Sequence, residues 1–188
     1  MRTWKHLNHL QVGKYAEYLV KIALVSHGLD VYSSEVDDRG IDFVVKRDHE
    51  TYFDIQVKSI RGLNYIFFPK SKFMPRANLF AAVAVFIENE DSHLFLIPSM
   101  HWQRPNGLLV ERDYEGLPSQ PEWGLNISRK NWPLLSDYQM EKIIAVIRDG
   151  SNQYGLRRLQ APSGSFQSIV QEARSSMASI YRVLLRVD

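Results

Sequence analysis

The stretch GIDFVVKRDHETYFDIQVKS, residues 40–59, contains two β-rich runs separated by the polar tripeptide DHE. This pattern predicts a β-hairpin in which the start of the first strand lies beside the end of the second. Asp42 stands at the head of the first run, and Gln56 and Lys58 stand at the tail of the second. Burying such polar groups is costly unless something pairs with them. A metal ion is one such partner, so the hairpin predicts a polar cluster at one edge of a sheet.

The alternation along the second run predicts which side chains share a face. Residues two apart on a strand point the same way, so Asp54, Gln56 and Lys58 are expected on one face. Ile55 and Val57 are then expected on the other face, towards the core.

The elements around the hairpin predict an α/β fold. Residues 11–28 have the apolar spacing of a helix that ends at Gly28. Residues 30–36 read as a short strand, and NYIFFPKSKF as a further extended piece interrupted by Pro69. LFAAVAVFI and HLFLIPSM read as paired strands, although the alanines of the first run also allow a helix. Residues 136–150 read as a helix with a capping box at Ser136 and Gln139. This order predicts a central mixed β-sheet flanked by helices.

The rest of the chain adds a loop-rich region and a terminal segment. Residues 103–133 are rich in glycine and proline. The tryptophans and tyrosines between Trp102 and Tyr138 are typical of a local core, and stacking on nucleic-acid bases is the alternative. Residues 1–150 are predicted to form one domain. Residues 151–188 are predicted to be a linker followed by an amphipathic helix over residues 166–187, which is a candidate interface for a homodimer.

Composition limits the chemistry. The chain has 188 residues, of which 45% are hydrophobic and 23% charged, as in ordinary globular proteins. It has no cysteine, which excludes disulfides and thiolate zinc sites and favours a reducing, cytoplasmic location. The six histidines lack metal-ligand spacing. The sequence also predicts neither a signal peptide nor a membrane span.

One long stretch carries only positive charge. No Asp or Glu occurs between Ile55 and Ile87. A local positive field would favour a phosphate partner, although a solvated basic face is an equally good interpretation. The basic residues of this stretch are Lys58, Arg61, Lys70, Lys72 and Arg76.

The polar cluster is suited to metal-assisted phosphodiester hydrolysis. Mg²⁺ prefers hard oxygen ligands and keeps several waters, so one or two carboxylates and a carbonyl suffice. The metal supplies charge stabilisation and a nucleophile, and a nearby lysine orients the water or shields developing charge.

The segments GKYAEYLV, RGIDFVV and DIQVKS, in this order, resemble the PD-(D/E)XK, or restriction-endonuclease-like, nucleases, and among them the archaeal Holliday-junction-resolvase type. The resemblance covers about residues 10–100 and implies an αβββαβ core and Mg²⁺, with Mn²⁺ as a substitute. It implies DNA as substrate, resolvase-like dimers and an endonuclease activity. It assigns catalytic roles to Glu17, Asp42, Gln56 and Lys58, metal ligation to Asp42, Gln56 and the Val57 carbonyl, and contacts to the DNA backbone to Lys70, Lys72 and Arg76.

The chain departs from that pattern at Gln56, which occupies the slot of an acid. An amide oxygen still coordinates cations, but it leaves less negative charge. Asp54, Glu35 or Asp37 are the candidates to compensate. The alternative is a catalytically inactive module of the same fold that binds nucleic acid or a protein partner.

Each of these residues also has a plainer interpretation. Glu17 is typical of a solvent-facing helix acid, and Asp42 follows the turn signal DDRG. Asp54 and Lys58 also fit the ordinary polar alternation of an exposed strand face.

Overall fold

The computed structural model describes residues 3–33 and 40–150. The predicted linker and helix within residues 151–188, and Glu35 and Asp37, lie outside the described residues. The elements in chain order are α1 (His9–Ser26), β1 (Asp30–Ser33), β2 (Phe43–Lys46), β3 (Tyr52–Arg61), β4 (Tyr65–Pro69), β5 (Leu79–Phe86), β6 (His93–Pro98), a 3₁₀ helix (Ser99–Gln103), β7 (Leu109–Arg112), β8 (Glu122–Asn126), a second 3₁₀ helix (Trp132–Tyr138) and α2 (Met140–Asp149).

The main sheet has five strands in the order β1-β2-β3-β5-β6. All neighbours are antiparallel except β3 and β5, which run parallel. This confirms the predicted α/β class with a central mixed sheet. The predicted hairpin is confirmed as well, because Phe43 of β2 lies opposite Ile55 of β3.

Helices α1 and α2 cover one face of the main sheet. Val20 and Leu24 of α1 and Ile143 and Ile144 of α2 are buried together with Ile55 of β3. The capping box of α1 is formed by Asn8 and Gln11, and Gly150 ends α2 in the left-handed conformation. The predicted capping box at Ser136 and Gln139 is wrong. Ser136 lies inside the 3₁₀ helix Trp132–Tyr138, and Gln139, the residue before α2, makes no side-chain cap.

A second sheet, which the sequence did not predict, covers the other face. It has three strands in the order β4-β8-β7. Phe68 of β4 and Leu125 of β8 are buried against alternate residues of β5, such as Val83. Trp102 is fully buried in the same cluster and donates a hydrogen bond to the Gly124 carbonyl (2.9 Å), as expected of a core tryptophan.

The connection between the parallel strands β3 and β5 differs from the αβββαβ core. It contains β4 and the irregular residues 70–78, with no helix among them. Because β4 pairs with β8 (Tyr65 opposite Asn126), the connection belongs to the second sheet. It thereby brings Lys70, Lys72 and Arg76 to the face of the main sheet that carries Gln56.

Candidate functional site

Asp42 joins the two strands of the hairpin at the place where β2 begins. Its backbone N–H donates to the Ile55 carbonyl (2.9 Å), and its carboxylate oxygen Oδ2 accepts from the Val57 N–H (2.6 Å). Asp42 therefore lies level with Gln56. The prediction placed this cluster at the end of the second strand, but β3 continues to Arg61 and pairs there with β5 alone.

That geometry brings a backbone carbonyl to the same side of β3 as the Asp42 carboxylate. The N–H and C=O of one residue in a strand point to the same side, so the Val57 carbonyl points towards the carboxylate that its N–H binds. A carboxylate and a backbone carbonyl thus point towards the same space, next to Phe43 at the start of β2.

Gln56 is buried beside this space. Its side chain is only 6% exposed, and its Oε1 atom has no hydrogen-bond partner among the described residues. Buried amide oxygens are normally paired, so an orphan of this kind needs an explanation such as an ion or water. Gly40, at φ +72°, packs against it. A Cβ at position 40 would lie 3.3 Å from both Gln56 Nε2 and Lys72 Cβ.

Lys58 lies on the face of β3 that the alternation predicts. Phe53 and Ile55 pack towards the helices, while Lys58 Nζ lies 5.9 Å from the ring centre of Phe68 in the second sheet. Gln56 and Lys58 therefore share the face opposite to α1.

Glu17 approaches from the helix side. It sits on α1 next to the buried Ala16, and its Oε2 forms an ion pair with Lys14 Nζ at 2.6 Å. That hydrogen bond to Glu17 is the main reason the pKa of Lys14 is raised, and the charge of Asp42 adds to it. The structure therefore pairs Glu17 with Lys14. It places Glu17 on the face of the sheet away from Gln56 and Lys58.

The predicted backbone-binding cations differ in their surroundings. Lys70 Nζ binds Glu111 (2.6 Å) and Asp113 (2.5 Å) and lies over the Trp123 ring at 4.4 Å. Partial burial lowers the pKa of Lys70, but the hydrogen bonds to the two carboxylates outweigh it and leave that pKa raised.

Arg76 is engaged by a carboxylate as well. Its Nη2 donates to Asp54 Oδ2 at 2.6 Å. Asp54 was a candidate to compensate for the acid that Gln56 replaces, and the structure pairs it with Arg76 instead. Lys72 is exposed, and its Cβ lies close to Gly40, the residue that also packs against Gln56. Of the three cations, Lys72 is the one beside the candidate site.

The donor set fits a hard cation that keeps several waters. Carboxylate, amide and carbonyl oxygens are the ligands that Mg²⁺ and Mn²⁺ accept. No group of three or more His, Cys, Asp or Glu residues within residues 3–33 and 40–150 could hold a metal by itself. Any cation here would rely on the neutral oxygens of Gln56 and Val57 beside Asp42.

Comparisons with known proteins give matches among solved structures. No protein-family model matches the chain, and no curated protein is significantly similar to it. Among solved structures, Hjc, a Holliday junction resolvase from the archaeal hyperthermophile Archaeoglobus fulgidus, matches with a TM-score of 0.46 and 14% identity. The match covers 71% of this chain and 95% of the resolvase. It is a likeness of chain path alone.

None of the helices within residues 3–33 and 40–150 has both the length and the apolar character needed to cross a membrane.

Proposed function

We propose that the chain is a metal-dependent endonuclease that hydrolyses phosphodiester bonds in DNA. The observation that carries the proposal is the contact of the Asp42 carboxylate with the Val57 N–H, in the middle of the segment Gln56–Val57–Lys58. The orphaned, buried Oε1 of Gln56 supports it, because an oxygen without a partner at this place suits a cation or its water.

Each residue then has a role in the reaction. Asp42, Gln56 Oε1 and the Val57 carbonyl would hold Mg²⁺, which supplies Lewis acidity at the phosphate and favours the ionisation of water. Lys58 would orient the attacking water or shield the charge that develops on the phosphate. Lys72 would hold a neighbouring phosphate of the backbone as a mobile point charge. Glu17 would support the metal or its water from the α1 side of the sheet.

The direct test is cleavage of a set of DNA substrates with Mg²⁺ or Mn²⁺. Asp42→Asn and Lys58→Met are expected to abolish cleavage without unfolding the protein, whereas Lys46→Met is expected to retain it. Lys46 is a fair control because it lies on the adjacent strand and stacks over Tyr52. A folded wild type that cleaves no nucleic acid with either ion refutes the proposal.

A second candidate is a catalytically inactive module that holds nucleic acid or a protein partner on the same scaffold. Gln56 in the acid's place and the missing third acidic ligand among the described residues favour it. Titration of Mn²⁺ into the protein separates the two functions. The nuclease proposal expects heat of binding that disappears in Asp42→Asn, and the inactive module expects none in either protein.

The homodimer stays a prediction, because its candidate interface, residues 166–187, lies outside the described residues.

A further inference from the structure

Met74 is an exposed apolar side chain in the connection between β4 and β5. It is 64% exposed, whereas its neighbour Phe73 is fully buried. The Phe73 ring packs in the core with ring centres 4.7 Å from Phe68 and 5.4 Å from Trp102. Single exposed apolar side chains are common, so exposure alone assigns Met74 no role. Its support and its charged surroundings do.

The backbone is fixed on both sides of Met74. The Phe73 N–H donates to the carbonyl of the last residue of β4 (2.9 Å). On the other side, the Arg76 N–H donates to Ser99 Oγ (2.9 Å), and the Ser99 hydroxyl donates to the Arg76 carbonyl (2.8 Å). Pro75 has a fixed φ and restricts the residue before it to extended backbone. Met74 therefore projects from a rigid support, which lowers the entropy that it loses on binding.

The same connection carries only positive charge. Residues 70–78 include two lysines and an arginine but no Asp or Glu. Lys72 and Met74 are both exposed, one on each side of the buried Phe73. A Cβ at Gly40 would lie 3.3 Å from Lys72 Cβ, so this part of the connection lies beside the candidate site. An apolar tip next to cations matches DNA-bending proteins, in which cations bind phosphates and an apolar side chain separates two base pairs.

We propose that Met74 inserts between two base pairs of DNA bound at the site, while Lys72 holds a neighbouring phosphate. This inference rests on the proposed function for DNA as the ligand, and it adds a preference for base-pair steps that open easily. Pyrimidine–purine steps such as TA unstack readily, whereas A-tracts are stiff and have a narrow minor groove that attracts cations. An inserted side chain therefore favours TA steps, and cations alone favour A-tracts.

The experiment compares two short duplexes of equal length that contain only A·T pairs, one of alternating TA steps and one A-tract. Binding to the full chain is measured without divalent ions, so that no strand is cut. The wild type is expected to bind the TA duplex about tenfold more tightly. Met74→Ala is expected to lose most of this preference, and Met74→Leu to keep it, because leucine also serves as an inserted side chain.

A fluorescent base gives a second readout. With 2-aminopurine in place of adenine at the central TA step, the wild type is expected to raise the fluorescence by unstacking that base, and Met74→Ala to raise it less. Leu10→Ala is the matched control, because Leu10 is 71% exposed and lies on the first turn of α1. It is expected to behave as the wild type. Thermal unfolding of each variant checks that it folds, and a merely structural role for Met74 would leave the preference unchanged.

Several results overturn the inference. Wild-type preference and fluorescence in Met74→Ala remove the inserted side chain while leaving the nuclease proposal standing. A wild type that prefers the A-tract shows that cations alone read the DNA. Binding to neither duplex removes DNA as the ligand, and the inference with it. Loss of the TA preference in Met74→Ala, in a protein that cleaves no DNA with Mg²⁺ or Mn²⁺, sustains the inference and removes the nuclease.

Discussion

Gln56→Glu should destabilise the protein in the absence of metal, because it places a carboxylate where an amide is now buried. The Gln56 side chain is 6% exposed and lies level with Asp42, whose carboxylate binds the next N–H of β3. Cross-strand neighbours have Cβ atoms about 5 Å apart. At about 5 to 6 Å, two like charges repel by about 3 kcal/mol with an effective dielectric constant of about 20.

That repulsion also sets the pH dependence. A penalty of about 3 kcal/mol raises the pKa of the introduced carboxyl by about two units above its unfolded value of about 4.3. Because the folded pKa is the higher one, the variant matches the wild type below about pH 4 and loses stability as pH rises to about 7. Addition of Mn²⁺ at about 100 times its dissociation constant should return about 2.7 kcal/mol.

Thermal unfolding measures the effect. For a chain of this size, about 3 kcal/mol corresponds to a fall of about 6 to 12 °C in Tm. Gln103→Glu, an exposed position outside the site, is the matched control and should change little. A Gln56→Glu protein as stable as the wild type at pH 7 to 8 without metal, and indifferent to Mn²⁺, would show that position 56 does not face a cation site.

Three further predictions concern the surroundings of the site and the fold. If the chain binds DNA, Lys72→Gln should lower the slope of log affinity against log salt by about one. Lys70→Gln should lower it by less, because Glu111 and Asp113 already pair with Lys70. Equal slopes for the two variants would contradict the assignment of Lys72. The hydrogen bond from Arg47, with further bonds from Glu50 N–H and Thr51, holds the pKa of Asp48 well below its usual range. The stabilisation that Asp48 provides is therefore present above its unfolded pKa of about 3.9 and is lost as pH falls. In urea unfolding, the free energy of unfolding of Asp48→Asn should fall less steeply towards acid pH than that of the wild type, and parallel pH profiles would refute this. Gly124→Ala should cost about 1 to 3 kcal/mol in urea unfolding, because a Cβ there would collide with the Tyr65 ring and break its hydrogen bond to Glu122; an unchanged midpoint would mean that Tyr65 does not lie over β8.

Local patterns were enough to predict the elements that form the main sheet. The apolar spacing of residues 11–28, the polar break DHE and the apolar run LFAAVAVFI each carry their signal within a few residues. The second sheet had no such signal. Its strands β7 and β8 have four and five residues, β8 contains Gly124, and its pairing with β4 joins residues about sixty positions apart.

As in the fold, the part of the site that depends on local sequence was predictable. The meeting of Asp42 with the segment 55–57 follows from hairpin geometry, which is local. The contact of Lys72 with Gly40 and Gln56 depends on the path of the crossover through the second sheet. The ion pairs of Lys70 depend on Glu111 of β7 and on Asp113 just after it, forty-one and forty-three residues away in sequence. The ion pair of Lys14 with Glu17 was not predicted, although a spacing of three residues on a helix is the signal that would have indicated it.

The most direct measurement is a crystal structure of the protein soaked in Mn²⁺, with anomalous difference density used to locate the ion. The proposed site predicts one peak at about 2.0 to 2.3 Å from an Asp42 carboxylate oxygen, with the Gln56 amide oxygen and the Val57 carbonyl completing its protein ligands. A soaked crystal with no anomalous peak at Asp42 would contradict the account. A structure in which a protein group donates a hydrogen bond to Gln56 Oε1 would contradict it as well.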